Sequence, residues 1–195
     1  MKFNYNLNQL YEGYCNFPSD INQHLPTLKS YSEECTHITE MGVREGISTT
    51  ALLLGKPKKL VGYDINLKES VHLLKELAKY EGLNFDYQLG DTRMIEIEET
   101  DLLFIDTWHV YEQLKLELTL HHRKVNKYII LHDTTTYAYK NEKDFPHWNP
   151  PLVKSTESPI GLWPAVEEFI NNYDEWVIKE RFTNNNGLTI LGKNK

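Results

Sequence analysis

Apolar stretches of two kinds alternate along the chain. Short apolar runs such as KKLVGYDI (58–65), DLLFID (101–106) and NKYIILHD (126–133) are typical of buried strands. Between them, LKESVHLLKELAKYEG (67–82) places Val71, Leu74 and Leu77 at the spacing of one helix face, and Gly82 ends the pattern. The same reasoning predicts further strands at 35–41 and 84–90, further helices at 48–55, 110–122 and 161–173, and two closing strands at 175–182 and 187–193.

Strands that alternate with helices indicate an α/β fold in which helices cover both faces of a mostly parallel sheet. The last two strands are joined by the turn-rich run TNNN (183–186), which predicts an antiparallel hairpin. We therefore expect a seven-stranded, mostly parallel sheet that ends in an antiparallel C-terminal hairpin.

Two segments lie outside this alternation. Residues 1–33 are expected to form an N-terminal helical cap, with Ser19 or Asp20 capping a short helix and Leu25 and Leu28 on its inner face. Residues 134–161 lack periodicity and exceed the usual length of a connection, which predicts a lid loop. Its aromatic side chains either face an acceptor or anchor the loop: Tyr137, Tyr139, His147 and Trp148. Residues 1–195 together are expected to form a single domain.

Composition narrows the class of partner. The net charge of −7 argues against a non-specific nucleic-acid binder and against an anionic membrane surface. Cys15 and Cys35 match no metal or redox spacing and are expected to be reduced thiols. The segment MKFNYNLNQL lacks the apolar core of a signal peptide, and no apolar run approaches the length of a membrane span. We therefore expect a cytoplasmic protein.

The first strand is followed by a glycine-containing turn. In parallel α/β sheets, ligands bind beyond the carboxyl ends of the strands. Glu40, Gly42 and Gly46 stand there, and the next helix begins near Ser48, so the backbone can either approach a ligand or simply turn. The spacing Glu-x-Gly-x-x-x-Gly is not the G-x-G-x-x-G fingerprint of dinucleotide-binding proteins, and no Gly-Lys-Ser/Thr of a P-loop occurs.

Carboxylates follow the next two strands. Asp64 can accept both hydroxyls of a ribose, or it can cap the helix that begins near Leu67. Asp91 comes directly after Gly90, where it can touch an adenine edge or belong to an ordinary turn.

The fourth and fifth strands are followed by four ionisable side chains: Asp106, His109, His132 and Asp133. If these strands are neighbours, the four groups lie together and can hold a hard divalent cation or supply a general base. Any one of them alone could instead cap a helix or face solvent. His121 and His122, near a helix end, are expected to be exposed.

In this order and spacing the motifs resemble the class I S-adenosylmethionine-dependent methyltransferases. The closer similarity is to the small-molecule O-methyltransferase branch, which includes macrolide-sugar and cephalosporin-tailoring enzymes. The resemblance implies a Rossmann-like methyltransferase fold. It extends from about residue 18 to residue 191 and rests on these segments: SDINQHLP, ITEMGVREGIST, LVGYDI, LGD, LLFIDTWHVYEQ, YIILHDTT, GLWPAVEEF and NNNGLTIL.

The resemblance also implies a role for each candidate residue. The turn after the first strand would lie under the methionine part of S-adenosylmethionine, with Glu40 near its ammonium group. Asp64 would hold the ribose, and Asp91 would approach the adenine. The implied cofactor-binding residues are Glu40, Gly42, Gly46, Ser48, Asp64, Asp91 and Asp106.

The reactive groups implied by the resemblance come from the fourth and fifth strands. Asp106, His132 and Asp133 would hold a divalent cation such as Mg²⁺, and Asp106 and His109 would act at the acceptor hydroxyl. The chain departs from the family pattern at Thr107-Trp108 and at His132.

The resulting hypothesis is methyl transfer from S-adenosylmethionine to a hydroxyl of a sugar, a phenol or another small molecule. The expected partner is that small-molecule acceptor, with no nucleic acid and no membrane, and assembly into a homo-oligomer is a further expectation. Two alternatives stay open. One is a non-catalytic module that binds a nucleotide or S-adenosylmethionine. The other is a different Rossmann-type enzyme, such as an NAD-dependent one, against which the missing fingerprint counts.

Overall fold

A computed structural model of the protein describes residues 3–142 and 159–194. Within them, seven strands form one sheet in the order β3-β2-β1-β4-β5-β7-β6. The strands are β1 (His37–Met41), β2 (Lys59–Asp64), β3 (Phe85–Leu89), β4 (Thr100–Ile105), β5 (Val125–His132), β6 (Trp176–Phe182) and β7 (Leu188–Lys193).

The pairing confirms the predicted fold class. Strands β1 to β5 pair in parallel, whereas β7 runs antiparallel to both β5 and β6. The chain builds outward from β1 to β3, then returns to the other side of β1 to place β4 and β5. The order of the strands therefore reverses beside β1, and a ligand crevice is expected at that point.

Helices cover both faces of the sheet, as the alternating pattern predicts. The described helices are α1 (Leu7–Asn16), α2 (Leu25–Ser32), α3 (Ile47–Leu54), α4 (Glu69–Tyr80), α5 (Tyr111–His121) and α6 (Trp163–Asn172). One apolar core joins side chains of α1 to α4 to one face of the sheet. A second core joins α5 and α6 to the other face. None of the helices in the described ranges is both long enough and apolar enough to cross a membrane.

The N-terminal segment contains one helix more than the sequence pattern predicted. Helix α1 begins at a capping box in which Asn6 and Gln9 each accept the other's backbone N–H. The predicted cap at Ser19 or Asp20 is wrong, because the 3₁₀ turn at Asn22–His24 follows Ile21, α2 follows His24, and neither has a side-chain cap; Ser19 Oγ only accepts the backbone N–H of Asn22 in the preceding loop. Leu25 and Leu28 are fully buried, as expected of the inner face.

The proposed lid segment is described only at its two ends. Residues 134–142 form turns, and Asn186 accepts the backbone N–H groups of Thr135 and Thr136. The far end returns to the same place, because Leu162 donates its N–H to the carbonyl of Tyr137. His147 and Trp148 lie outside the described residues, so their expected contacts remain predictions.

Candidate active site

A cavity of about 440 Å³ opens at the carboxyl ends of the strands, at the point where the strand order reverses. Its volume is within the range of small-molecule sites, roughly 300–1,000 Å³. Five of the residues singled out from the sequence line it: Gly42, Asp64, Asp91, Asp106 and His109. Residues that follow β1, β2, β3 and β4 therefore share one cavity.

The backbone after β1 passes too close to its neighbour for any side chain at Gly42. Gly42 has a φ of +89°, and a Cβ added there would lie 1.9 Å from the backbone oxygen of Asp106. Gly46 also has a positive φ, +84°, and forms the N-terminal boundary of α3. Both glycines are thus required by the shape of the turn. Gly42 lines the cavity, whereas Gly46 packs against Leu74 outside the lining.

Glu40 is placed differently from the expectation that it lies near the ammonium group of the cofactor. Its side chain is fully buried and lies outside the cavity lining. Ser48 and Thr49, in the first turn of α3, donate their hydroxyls to the two carboxylate oxygens at 2.5 and 2.6 Å. Burial raises the pKa of Glu40 to about 8, although these two hydrogen bonds oppose the change. The placement of Glu40 and Ser48 supports a role in fixing the turn beneath the cavity rather than in touching a ligand.

Asp64 lines the cavity and is not a helix cap. It accepts backbone N–H groups of Arg44 and Asn66, one on each oxygen, at 2.8 and 2.9 Å. Helix α4 begins after Lys68 without a side-chain cap. Each carboxylate oxygen has a further lone pair, so Asp64 can still accept two hydroxyl groups from a ligand.

The Asp91 carboxylate is occupied by a neighbouring cation. Arg93 donates to it through Nε at 3.0 Å and through Nη2 at 2.8 Å. Burial acts to raise the pKa of Asp91, but the bonds from Arg93 outweigh it and lower that pKa. Asp91 lines the cavity, yet its charge is already paired. Its placement supports a role in shaping the loop after β3.

The strongest concentration of charge lies after β4 and β5. Nε2 of His109 is 3.2 Å from Asp106 Oδ1 and 2.9 Å from Asp133 Oδ2. Nδ1 of the same ring is 3.0 Å from a carboxylate oxygen of Glu142. One ligand atom each from Asp106, His109 and Asp133 lies within 4.8 Å of the others, which is compact enough to enclose a metal ion. The side chains predicted to meet at these strand ends are therefore adjacent.

His132 lies behind this cluster. Its Nδ1 is 3.4 Å from Asp106 Oδ1 and 3.3 Å from Asp133 Oδ2, while its Nε2 donates towards the backbone oxygens of Asp20 and Asn185. The three-residue group that can enclose an ion contains His109 in place of the predicted His132. The difference arises because His132 is the last residue of β5 and is buried, whereas His109 reaches the cavity from the loop after β4.

The cluster favours protonated histidines and ionised carboxylates. Burial acts to lower the pKa of His109, but Asp106, Asp133 and Glu142 together raise it to about 12. The same carboxylates raise the pKa of His132 to about 10. Burial opposes ionisation of Asp106 and Asp133, yet the two histidines lower the pKa of Asp133 to about 2 and that of Asp106 further. These contacts favour the imidazolium form of His109, and an imidazolium cannot accept a proton.

Several residues of the site were not found from the sequence. Glu142 reaches the cavity, donates its backbone N–H to the backbone oxygen of His109 and accepts the backbone N–H of His109 on its carboxylate. The His109 ring also stacks on Tyr137 with centroids 4.7 Å apart. Glu117, on α5, is a buried carboxylate that accepts from Thr92 and Thr107. No motif marks these carboxylates: Glu117 has one partner four residues away, Gln113, and the others lie 10 to 33 residues away.

The histidine pair at the end of α5 corrects a sequence expectation. His121 and His122 are both buried, 2% exposed, and not on the surface. Their ring nitrogens bond to the backbone oxygens of Thr92 and Leu118 at 2.7 and 2.8 Å. His121 thereby connects α5 to the loop after β3, while His122 packs beside Phe169.

No protein-family model matches the sequence, and no curated protein matches it. Solved structures, in contrast, match over nearly the whole chain. A proposed caffeoyl-CoA O-methyltransferase from Staphylococcus aureus has a TM-score of 0.63 at 13% identity, covering 97% of this chain and 93% of that chain. An O-methyltransferase from Bacillus cereus in complex with S-adenosylhomocysteine has a TM-score of 0.61 at 14% identity, covering 96% and 90%.

A third structure agrees with these two. The methyltransferase PaMTH1 from Podospora anserina, bound to S-adenosylhomocysteine, has a TM-score of 0.56 at 14% identity, covering 100% of this chain and 98% of that chain. At such identities the similarity establishes the architecture and not the activity. The chain has the Rossmann-like fold that these class I methyltransferases share.

Proposed function

We propose that this protein is an S-adenosylmethionine-dependent methyltransferase that methylates a hydroxyl of a sugar or another small molecule. The observation that carries the proposal is a single cavity lined by two chemically different sets of groups. The bare backbone of Gly42 and the Asp64 carboxylate line it together with Asp106 and His109. A cofactor and an acceptor can therefore meet within it.

The lining at Gly42 and Asp64 suits a nucleoside with an attached amino acid. Gly42 lets a ligand approach the backbone, and Asp64 has two oxygens with free lone pairs for the ribose hydroxyls. The fold neighbours solved with S-adenosylhomocysteine support this choice of cofactor over NAD. Methyl transfer forms a bond from the acceptor oxygen to the methyl carbon as the carbon–sulfur bond breaks, leaving S-adenosylhomocysteine. The protein must align those three atoms.

The acceptor hydroxyl must also lose its proton. The charged cluster after β4 and β5 restricts which group can accept that proton. Contacts within it raise the pKa of His109 and lower that of Asp106, so the cluster favours imidazolium and carboxylate forms of the two residues that we expected to act there. The imidazolium cannot accept a proton, and a carboxylate with so low a pKa is a weak base. An unassisted base mechanism is therefore disfavoured by the same contacts that assemble the cluster.

The ligand atoms of the cluster fit a divalent cation, which would change the balance between protonated and deprotonated forms described above. Asp106, Asp133 and His109 would hold it, and a Glu142 carboxylate oxygen lies 3.0 Å from the other ring nitrogen of His109. Asp133 Oδ1 is buried without a hydrogen-bond partner among the described residues, which leaves it available as a cation ligand. When bound, such an ion lowers the pKa of a coordinated hydroxyl. Two carboxylates suit Mg²⁺, while the imidazole also admits Mn²⁺ and similar ions.

The proposal is tested by transfer of a labelled methyl group from S-adenosylmethionine to a panel of sugars and phenols. The assay compares untreated protein, chelator-treated protein, and chelator-treated protein supplied with Mg²⁺ or Mn²⁺. We expect product that carries the label on oxygen, loss of turnover after chelation and recovery with metal. Tight binding of S-adenosylmethionine without turnover on any acceptor would favour the non-catalytic binding module. Unchanged turnover after chelation would remove the metal from the mechanism.

A further inference from the structure

The His109 ring is contacted on two sides by residues of the segment 134–142, which follows β5. Its face stacks on Tyr137, with ring centroids 4.7 Å apart and an angle of 13° between the planes. Its edge faces Glu142, whose Oε2 lies 3.0 Å from Nδ1. The stacking restricts the plane of the ring, and the carboxylate favours the orientation in which Nδ1 faces it. Nε2 is thereby left facing Asp106 and Asp133.

Glu142 and His109 are also joined through their backbones. Glu142 donates its backbone N–H to the carbonyl of His109 at 3.0 Å, and its Oε2 accepts the backbone N–H of His109 at 3.3 Å. The same carboxylate oxygen therefore contacts both the backbone and the ring of His109. The side chains of Glu142 and His109 are 26% and 16% exposed, so water and salt screen this contact less than a surface ion pair.

The segment that carries Glu142 is itself held against the start of α6. Asn141 Oδ1 accepts the backbone N–H of Gly161 at 2.9 Å, and the carbonyl of Ala138 accepts the backbone N–H of Trp163 at 2.9 Å. Gly161 has a φ of +85°, and a Cβ added there would lie 2.5 Å from the Ala138 oxygen. The two stretches of backbone are thus in direct contact, which fixes the carboxylate relative to the sheet.

The other ring nitrogen of a metal-binding histidine nearly always donates its N–H to a carboxylate, a carbonyl or water. Nδ1 of His109 is buried, and within the ranges 3–142 and 159–194 it makes no well-aligned hydrogen bond. The oxygen of Glu142 is within bonding distance but off the line of the N–H. Contacts of this kind in active sites often become aligned only when ligands bind. Glu142 is therefore placed to accept from Nδ1 when Nε2 binds an ion.

We infer that Glu142 is a positioning residue for the divalent cation. It keeps the His109 ring turned with Nε2 towards Asp106 and Asp133, and by accepting from Nδ1 it raises the basicity of Nε2 as a ligand. This inference rests on the proposed function, because it assumes a cation at the cluster. It gives the described end of the segment after β5 a role in metal binding.

The test is a double-mutant cycle on Mn²⁺ affinity, in which electron paramagnetic resonance follows free Mn²⁺ during titration of the full chain. The four proteins are wild type, Glu142→Ala, His109→Ala and the double variant. With His109 present, Glu142→Ala should weaken Mn²⁺ binding by roughly tenfold to a hundredfold, the range for residues that orient metal ligands. In the His109→Ala background the loss should be at least about fivefold smaller, because no ring remains to be oriented.

The cycle separates positioning from simple attraction. A carboxylate that attracts the cation only through its charge contributes the same factor in both backgrounds. If Glu142→Ala does not fold, Glu142→Met, which preserves length but has no acceptor oxygen, replaces it in the same cycle with the same expectation. Glu76→Ala, at an exposed carboxylate on α4 outside the cavity lining, is the control and should bind Mn²⁺ as wild type does.

Each outcome decides between the claims. Equal losses in the two backgrounds, or wild-type Mn²⁺ affinity in a folded Glu142→Ala protein, overturn the inference and leave the metal site in place. Failure of wild-type protein to bind Mn²⁺ overturns the metal in the proposed function, and the inference with it. Binding of S-adenosylhomocysteine then still tests the cofactor independently.

Discussion

Replacing Gly42 with alanine tests the geometry of the cavity floor. The added Cβ would lie 1.9 Å from the backbone oxygen of Asp106, and the φ of +89° is itself unfavourable for alanine. The positive φ alone costs about 1–2 kcal/mol. Relieving the contact requires separating the turn after β1 from the backbone after β4, because the opposing atom is main chain and cannot rotate away. We therefore expect a loss of at least about 3 kcal/mol in the free energy of unfolding.

Gly82 supplies a matched control for this variant. It also has a positive φ, +74°, but a Cβ there would meet nothing within 4 Å. Gly82→Ala should therefore show only the backbone cost, about 1–2 kcal/mol. In thermal unfolding, this corresponds to roughly 2–4 °C per kcal/mol for a chain of this size. Equal losses in the two variants, measured by urea unfolding, would refute the claim that close approach to Asp106 excludes a side chain at Gly42.

Three further predictions follow from the site. The native pKa of Glu40, raised by burial to about 8, means that the folded state keeps a proton that the unfolded state releases near pH 4.5. This group therefore makes wild-type stability fall as pH rises from about 5 to about 8. Glu40→Gln should show a smaller fall over this window in urea unfolding, because His109 and His132 still contribute, and parallel curves for both proteins would contradict the prediction. His109→Gln should weaken Mn²⁺ binding by roughly tenfold or more in calorimetry with little change in S-adenosylhomocysteine affinity, and unchanged metal affinity would remove His109 from the donor set. The backbone amides of residues 134–161 should gain protection from hydrogen exchange when acceptor and S-adenosylhomocysteine are both present, and equal protection with and without ligands would indicate a fixed loop rather than a lid.

The sheet and its ligand edge could be predicted from sequence because each depends on local patterns. Strand periodicity, the helical spacing of Val71, Leu74 and Leu77, and the glycines at 42 and 46 all act within a few residues of each other. Helix α1 was missed although its capping box, Asn6 with Gln9, is a local signal that a closer comparison with the motif would have found.

The arrangement of the site depends on contacts that the sequence does not encode locally. His109 and His132 both follow the right strands, yet only their distances from Asp133 and Asp106 show which one faces the cavity. Glu40 was placed at the correct turn, but which side of the turn its carboxylate faces depends on Ser48 and Thr49. Sequence reasoning therefore pointed to strand ends that line the cavity, and the orientation of individual side chains came from the structure.

Other expectations from the sequence remain predictions. The single-domain organisation, the cytoplasmic location, the small-molecule acceptor and assembly into a homo-oligomer are not tested by the fold. The fold neighbours share an architecture with this chain at 13–14% identity, which does not select an acceptor. Acceptor identity therefore depends on the turnover assay.

The most direct test of the central claim is calorimetric titration of S-adenosylhomocysteine into wild-type protein and into Asp64→Ala. We expect one molecule to bind per chain, and we expect Asp64→Ala to weaken that binding by on the order of 1–3 kcal/mol, as for loss of hydrogen bonds to a charged group. Asp174→Asn, at an exposed carboxylate in the turn before β6, is the matched control and should bind as wild type does. Wild-type affinity in a folded Asp64→Ala protein, or no binding to wild-type protein, would contradict the assignment of this cavity to S-adenosylmethionine.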